Sequence, residues 1–272
     1  METSTSGNVG KGSSNGIGRE TAILFSSEGA KVTITGRNSQ ALEETKRLMI
    51  RAGACEDGIL DIRGDLRDDA VKADLVQATV KKFGGIDILV NNAGGGAIDN
   101  SNEQGFEQGM DNYDYILDLN LRSVVVLCKL ALPHLIERQG EIVMCPALPY
   151  YSMSKGALDQ LMRAMAVEYI SKGVRVNSVN PGLITTTFMQ KQGATLERQL
   201  EVREEFLTSD SKRVPARRAG TSMEIAQAIA FLADRSMSSY VVGHTLVVDG
   251  GCSIVNPLLA HYSLDYKMSN RS

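Results

Sequence analysis

From about residue 17 the chain alternates two hydrophobic patterns. Short apolar runs rich in β-branched residues recur as K-V-T-I-T-G, G-I-L-D-I-R-G-D, I-D-I-L-V-N-N, E-I-V-M, V-R-V-N-S-V-N and Y-V-V-G-H-T-L-V-V-D-G-G. Between them lie longer amphipathic stretches, beginning with I-G-R-E-T-A-I-L-F-S-S-E-G. Continuous apolar strands separated by helix-length segments predict βαβ units, hence an α/β fold with a doubly wound parallel sheet covered on both faces, three layers deep. Helix signals sharpen the pattern. Asn38 or Ser39 can cap A-L-E-E-T-K-R-L-M-I-R-A-G, whose closing Gly53 is a C-cap signal. Thr221 and Glu224 have capping-box spacing. A helical stretch over roughly 112–138 contains Pro133, which should kink it or end it early.

The N-terminus breaks the pattern. Such a fold should open with a strand feeding the first glycine turn, yet METSTSGNVGK contains Val9 as its only β-branched aliphatic residue. The expectation is a degenerate or absent first strand over 1–11, one domain over 12–251 and a tail over 252–272. With no internal repeat and no low-complexity linker, a single domain accounts for the chain.

Composition changes this picture little. A chain of 272 residues, 43% hydrophobic and 22% charged, is long enough to bury a substantial core. A formal net charge of −3 and no dense Lys/Arg cluster argue against nucleic acid or an anionic membrane as partner. Cys55, Cys128, Cys145 and Cys252 lie far apart, which fits a reducing compartment and offers neither disulfide framework nor zinc site. His134, His244 and His261 are equally scattered, so no metal centre is expected. Without a signal-peptide core or a spanning apolar run, a cytoplasmic protein is expected.

The candidate chemistry starts at G-S-S-N-G-I-G, which sets Gly12, Gly16 and Gly18 just before the first helix. Glycines there let a pyrophosphate approach the backbone, with the helix N-terminus supplying donors, although a plain turn uses the same residues. Arg37 ends the second strand, where dinucleotide folds carry an acid for a ribose 2′-hydroxyl or an Arg for a 2′-phosphate. Read functionally, that favours NADP(H) over NAD(H); read plainly, Arg37 is a solvated residue. Asp65 follows the third strand and could accept from an adenine amino group, or be a surface Asp. Asn91-Asn92-Ala93-Gly94 ends the fourth strand, where amides can brace neighbouring strands and line the ligand crevice, or simply make a turn.

Together with Asn120, Tyr151-x-x-x-Lys155, N-P-G-L-I-T-T and V-V-D-G-G, these motifs run in family order, and the chain from about Gly12 to Gly251 resembles a short-chain dehydrogenase/reductase. The resemblance implies a Rossmann-type domain, often a homodimer or homotetramer, that uses a nicotinamide dinucleotide to interconvert a carbonyl and a secondary alcohol. By the same resemblance Tyr151, Lys155 and Asn120 are catalytic. Tyr151 would exchange the proton with the substrate oxygen, Lys155 would favour its phenolate, and Asn120 would hold a water leading to solvent. The nucleotide would meet Gly12, Ser14, Asn15, Gly16, Ile17 and Gly18 at the turn. Arg37, Asp65 and Leu66 would lie at its adenosine end, and Asn92, Ala93 and Gly94 at the crevice floor. Tyr151 and Lys155 would touch it too, with Pro181, Gly182, Ile184 and Thr185 or Thr186 flanking the nicotinamide. The segment from Thr187 to Gly220 falls where the family carries its substrate lid.

One motif member is missing. The family's fifth strand leads to a Ser that donates to the substrate oxygen, but here the strand is followed by Met144-Cys145-Pro146-Ala147. Counting forward puts Ala147 in that place, and only residues 144–150 separate Val143 from Tyr151, a connection shorter than the family's. Ser152 and Ser154 point away from the Tyr151/Lys155 face, and Cys145 offers only a weak S–H donor. Losing such a donor costs roughly 10²–10³ in rate. The expectation is an oxidoreductase with impaired activity; the alternative is a relative that binds nucleotide or a partner subunit without turnover.

Overall fold

The computed structural model describes residues 7–95, 109–144, 149–186 and 214–254, and gives the backbone alone for 7–11, 149–153 and 155. Among the described residues seven parallel strands form one sheet: β1 (Gly7–Lys11), β2 (Lys31–Gly36), β3 (Ile59–Arg63), β4 (Ile86–Asn91), β5 (Glu141–Met144), β6 (Arg175–Pro181) and β7 (Thr245–Val248). Their order is β3-β2-β1-β4-β5-β6-β7, so the winding direction reverses between β1 and β4. In open α/β sheets a ligand crevice lies at such a reversal, outside the carboxyl ends of the strands.

Side chains alternate across the sheet, as period two requires. Leu89, Ile142 and Val176 face one apolar layer, while Val90, Val143 and Val179 face the other. The first layer is closed by α3 (Asp69–Phe83), α5 (Ser123–Arg138) and α6 (Pro149–Tyr169), which contribute Leu75, Leu127, Leu135 and Met162. The second is closed by α1 (Gly16–Ser27), α2 (Ser39–Arg51) and α7 (Ser222–Ala233), through Phe25, Leu42, Met49 and Ile229. This is the three-layer, doubly wound single domain expected from the hydrophobic pattern. No helix among the described residues is long and apolar enough to cross a membrane.

Caps fall where local chemistry sets them. Asn38 accepts from the Ala41 amide, Gly53 closes α2 with φ +102°, and Thr221 and Glu224 form a reciprocal capping box. Two expectations are corrected. The first strand is not absent: β1 pairs in parallel with β2 on one side and β4 on the other, Val9 opposite Thr33 and Leu89. A ladder on both sides is made by backbone groups alone, which outweighs the poor strand propensity of G-N-V-G-K. Nor does Pro133 end its helix, since α5 runs through it to Arg138. The interruption lies earlier, where α4 (Met110–Leu117) passes through a π-turn at Asp118–Arg122 before α5 begins.

At the sheet's other end, Glu141 and Arg175 are register partners at the starts of β5 and β6, both buried. Their side chains lie 3.1 Å apart, and Arg235 adds two bonds to the Glu141 carboxylate. Arg175 also donates to the carbonyls of Ser238, Val241 and Leu232.

Candidate functional site

The glycine turn sits at the reversal point and is packed too tightly for side chains. A Cβ on Gly12, whose φ is +78°, would lie 2.7 Å from Ala93 Cα. One on Gly18 would lie 2.2 Å from the Gly12 carbonyl oxygen and 2.6 Å from Asn92 Nδ2. Asn92 Nδ2 donates to that same oxygen at 3.3 Å, bracing the end of β4 against the turn after β1. Asn91 serves differently: it is buried and donates to the thiol of Cys128 on α5.

The turn is also anchored from behind by residues that the motif alone does not reveal. Ser13 donates its amide to the Thr35 carbonyl, and its own carbonyl accepts from Thr45 on α2. Arg19 reaches back to the Ser14 carbonyl at 2.6 Å. Asn15 takes the N-cap position of α1 without making a side-chain capping bond, and the first turn carries no acidic residue. Gly16 and Ile17 open that helix. A glycine backbone without room for Cβ, leading into a helix N-terminus free of acids, fits the pyrophosphate of a dinucleotide.

Arg37 is exposed at the tip of β2 and donates to the Tyr115 hydroxyl of α4 at 3.2 Å. Across from it Asp65 follows β3, and the Arg67 guanidinium holds its carboxyl below the usual range through bonds of 2.7–3.2 Å. Leu66 is buried between them. Lys72, fully buried, donates to the Leu66 and Arg67 carbonyls at 3.0 and 3.2 Å and pairs with Asp69 at 2.6 Å. Asp69 in turn takes both ends of Arg122 from the π-turn. Neither Tyr115 nor Arg67 stands out in the sequence, because their roles depend on contacts that only the fold creates.

Asn120 occupies the centre of the π-turn and is fully buried. Its amide forms a two-way bridge with the Gly95 backbone, accepting at 3.0 Å and donating at 3.1 Å, and donates to Ser154 Oγ at 3.4 Å. Both amide hydrogens are thereby used, so a water on this side chain would have only the remaining lone pair of Oδ1. Ser154 is fully buried and accepts this bond from Asn120. Gly94 lies between the Ala93 packing contact and the Gly95 bridge.

The far wall follows β6. Pro181 ends that strand, and Gly182 packs so closely on Asp249 that a Cβ would lie 2.6 Å from its Cα. Ile184 bridges to Gly220, the Thr185 amide donates to the Gly220 carbonyl, and Thr186 comes within 3.4 Å of where a Cβ on Gly16 would be. The structure therefore brings the β6 exit, the glycine turn and the end of β4 around one crevice. Tyr151 and Lys155 lie one turn apart near the start of α6, which places them on one face of that helix. Their side chains lie outside the described part, as do Cys145, Ala147 and the segment 187–213.

Comparison with known proteins supports the same architecture. Residues 10–253 match the family model described as enoyl-(acyl carrier protein) reductase. The chain is 33% identical to a 2-(R)-hydroxypropyl-CoM dehydrogenase of Xanthobacter autotrophicus, over 90% of this chain and 97% of that protein. Among solved structures, a short-chain dehydrogenase/reductase of unknown function from Caenorhabditis elegans, determined with cofactor, superposes with a TM-score of 0.91. It is 40% identical, over 96% of this chain and all of that one. A glucose dehydrogenase of the same organism in the apo-form gives 0.79 at 41% identity, over 94% of this chain and all of that one. With that match across nearly its whole length, and with the crevice at the β1/β4 reversal, the chain belongs to the short-chain dehydrogenase/reductase family, NAD(P)-dependent oxidoreductases of alcohols and carbonyl compounds.

Proposed function

We propose that the chain is an NADP(H)-preferring oxidoreductase that interconverts a carbonyl and a secondary alcohol, and that its turnover is slow. The observation carrying the nucleotide preference is the tip of β2, where Arg37 stands in place of an acid, on the adenosine side of the Gly12–Gly18 turn. The nicotinamide, when bound, supplies or accepts the hydride. Tyr151 passes the proton to the substrate oxygen in reduction and takes it back in oxidation. Lys155, one turn along, lowers the cost of the phenolate. Asn120 ties the Gly95 backbone to Ser154 on α6, the helix that carries Tyr151 and Lys155. The Pro181–Thr186 segment forms the wall opposite the turn.

Slow turnover is read from the sequence between β5 and α6, which offers Ala147 where the family places its substrate-binding Ser. Ser154 is not available as a substitute, because it is buried against Asn120. Relatives named as a 2-(R)-hydroxypropyl-CoM dehydrogenase, a glucose 1-dehydrogenase and a levodione reductase support a carbonyl or alcohol as the substrate class. We also infer a cytoplasmic location, since the dispersed cysteines suit a reducing compartment. A homo-oligomer is supported by Val247, exposed on the edge strand β7, and by Met237 and Tyr240, exposed in the segment that leads to it.

The test is titration of the purified chain with NADPH and NADH by nucleotide fluorescence, then turnover over a carbonyl panel with Ala147→Ser alongside. Saturable binding favouring NADPH, with weak turnover raised by Ala147→Ser, is expected. Equal binding of the two nucleotides would remove the preference. Wild-type turnover at a rate that Ala147→Ser does not change would remove the impairment.

A further inference from the structure

Arg37 does not stand alone at the tip of β2. Its Nη1 donates to the hydroxyl of Tyr115, a residue 78 positions away on α4. The guanidinium of Arg67 lies over the ring of the same tyrosine, 4.7 Å from its centroid. Two cations from two different loops thus meet on one side chain, by two different kinds of attraction. The phenol oxygen accepts from one, and the electron-rich ring face draws the other.

The loops that carry these arginines are fixed as well. Arg63 Nε donates to the Arg37 carbonyl at 3.2 Å, tying the tip of β2 to β3. Lys72 holds the Leu66 and Arg67 carbonyls from within the fold. Asp65 is engaged by Arg67 through its side chain and through the Arg67 amide, so its repulsion of an anion is offset at the expense of part of the Arg67 charge, which leaves Arg37 as the stronger cation of the two. Exposed arginines normally keep their rotamer freedom and repel each other, and Tyr115 restrains both.

We infer that Tyr115 is a positioning residue that seats Arg37 and Arg67 as a two-cation clamp for a phosphate monoester on the adenosine ribose of the dinucleotide. The inference rests on the NADP(H) preference proposed above and adds to it a second cation and the residue that orders the pair. On this inference Tyr115 acts through its contacts with the two arginines and takes no part in proton transfer. Its effect is confined to discrimination between a dinucleotide with the extra phosphate and one without it.

The experiment measures dissociation constants for NADPH and NADH by fluorescence titration, for the wild type, Arg37→Ala, Tyr115→Phe and the double variant. Tyr115→Phe keeps the ring under Arg67 and removes only the hydroxyl. The clamp predicts that it weakens NADPH by about two- to tenfold, the size of a lost hydrogen bond, and leaves NADH unchanged. In the Arg37→Ala background the same change should have no further effect. If Tyr115→Phe weakens both nucleotides equally, or neither, the clamp is overturned while the preference stands, provided Arg37→Ala still lowers the NADPH-to-NADH ratio. If the wild type does not discriminate and Arg37→Ala changes nothing, the preference falls and the clamp with it.

Discussion

A single carbon added at Gly18 would come within 2.2 Å of the Gly12 carbonyl oxygen and 2.6 Å of Asn92 Nδ2, both held in place by the end of β4. The nearer of the two, the Gly12 carbonyl, is main chain, so the backbone must move. Gly18→Ala should cost about 1–3 kcal/mol by overpacking and weaken nucleotide binding, read by urea unfolding and by titration. Gly156 on α6 makes the contrast, because a Cβ there meets nothing within 4 Å and the position is exposed. Gly156→Ala should stabilise by about 0.5–1 kcal/mol through helix propensity, seen as a higher urea midpoint. Both glycines lie in helices and look alike as letters. What separates them is the neighbour each meets in the fold.

At the scale of elements, α7 begins with a capping box whose parts were visible as T-x-x-E. Thr221→Ala should cost about 1 kcal/mol in chemical unfolding, with the Ile184–Thr186 segment loosened because Gly220, just before the cap, is its partner. Amide exchange at Thr185, bonded to the Gly220 carbonyl, should quicken in that variant. Strand runs from β2 to β7, the Asn38 cap and the Gly53 stop were legible because each depends on a few adjacent residues. The π-turn at Asp118–Arg122 was not, since it is made by Asn120 reaching to Gly95 and by Arg122 reaching to Asp69, partners far along the chain. In the same way the glycine turn, Arg37 and Asp65 could be named from their places after strands. Tyr115 and Arg67 could not, because nothing in their spacing marks them. Propensity left β1 either degenerate or absent because it describes side chains; the strand is present, secured by backbone pairing on both edges.

Over the whole molecule, charge couples stability to pH in two opposed ways. Burial pushes the Glu141 carboxyl up to about 7, against the pull of Arg175 and Arg235, from an ordinary value of 4.5. The folded state therefore holds that proton more tightly than the unfolded state. Its contribution, on the order of 3 kcal/mol, is complete below about pH 4.5 and lost as pH rises through about 7. Glu224 runs the other way: bonded to Arg218, it is lowered to about 2, and its contribution is lost as pH falls from 4.5 through that value. Glu141→Gln should flatten the decline in unfolding free energy between about pH 5 and 7, measured by urea midpoints across that range; an unchanged slope would locate the titrating group elsewhere. The central place of β1 has a further consequence, for the order in which the sheet assembles. Val9 finds Thr33 only 24 positions along the chain, whereas Lys11 must wait for Asn91, 80 positions on. Closing the longer loop costs more chain entropy, and pairings of high sequence separation slow folding. The β1–β2–β3 half can therefore form early, exposing one edge of β1 until β4 arrives. That open edge is the stretch most vulnerable to mispairing with another chain during folding, and the crevice for the nucleotide exists only once it is closed.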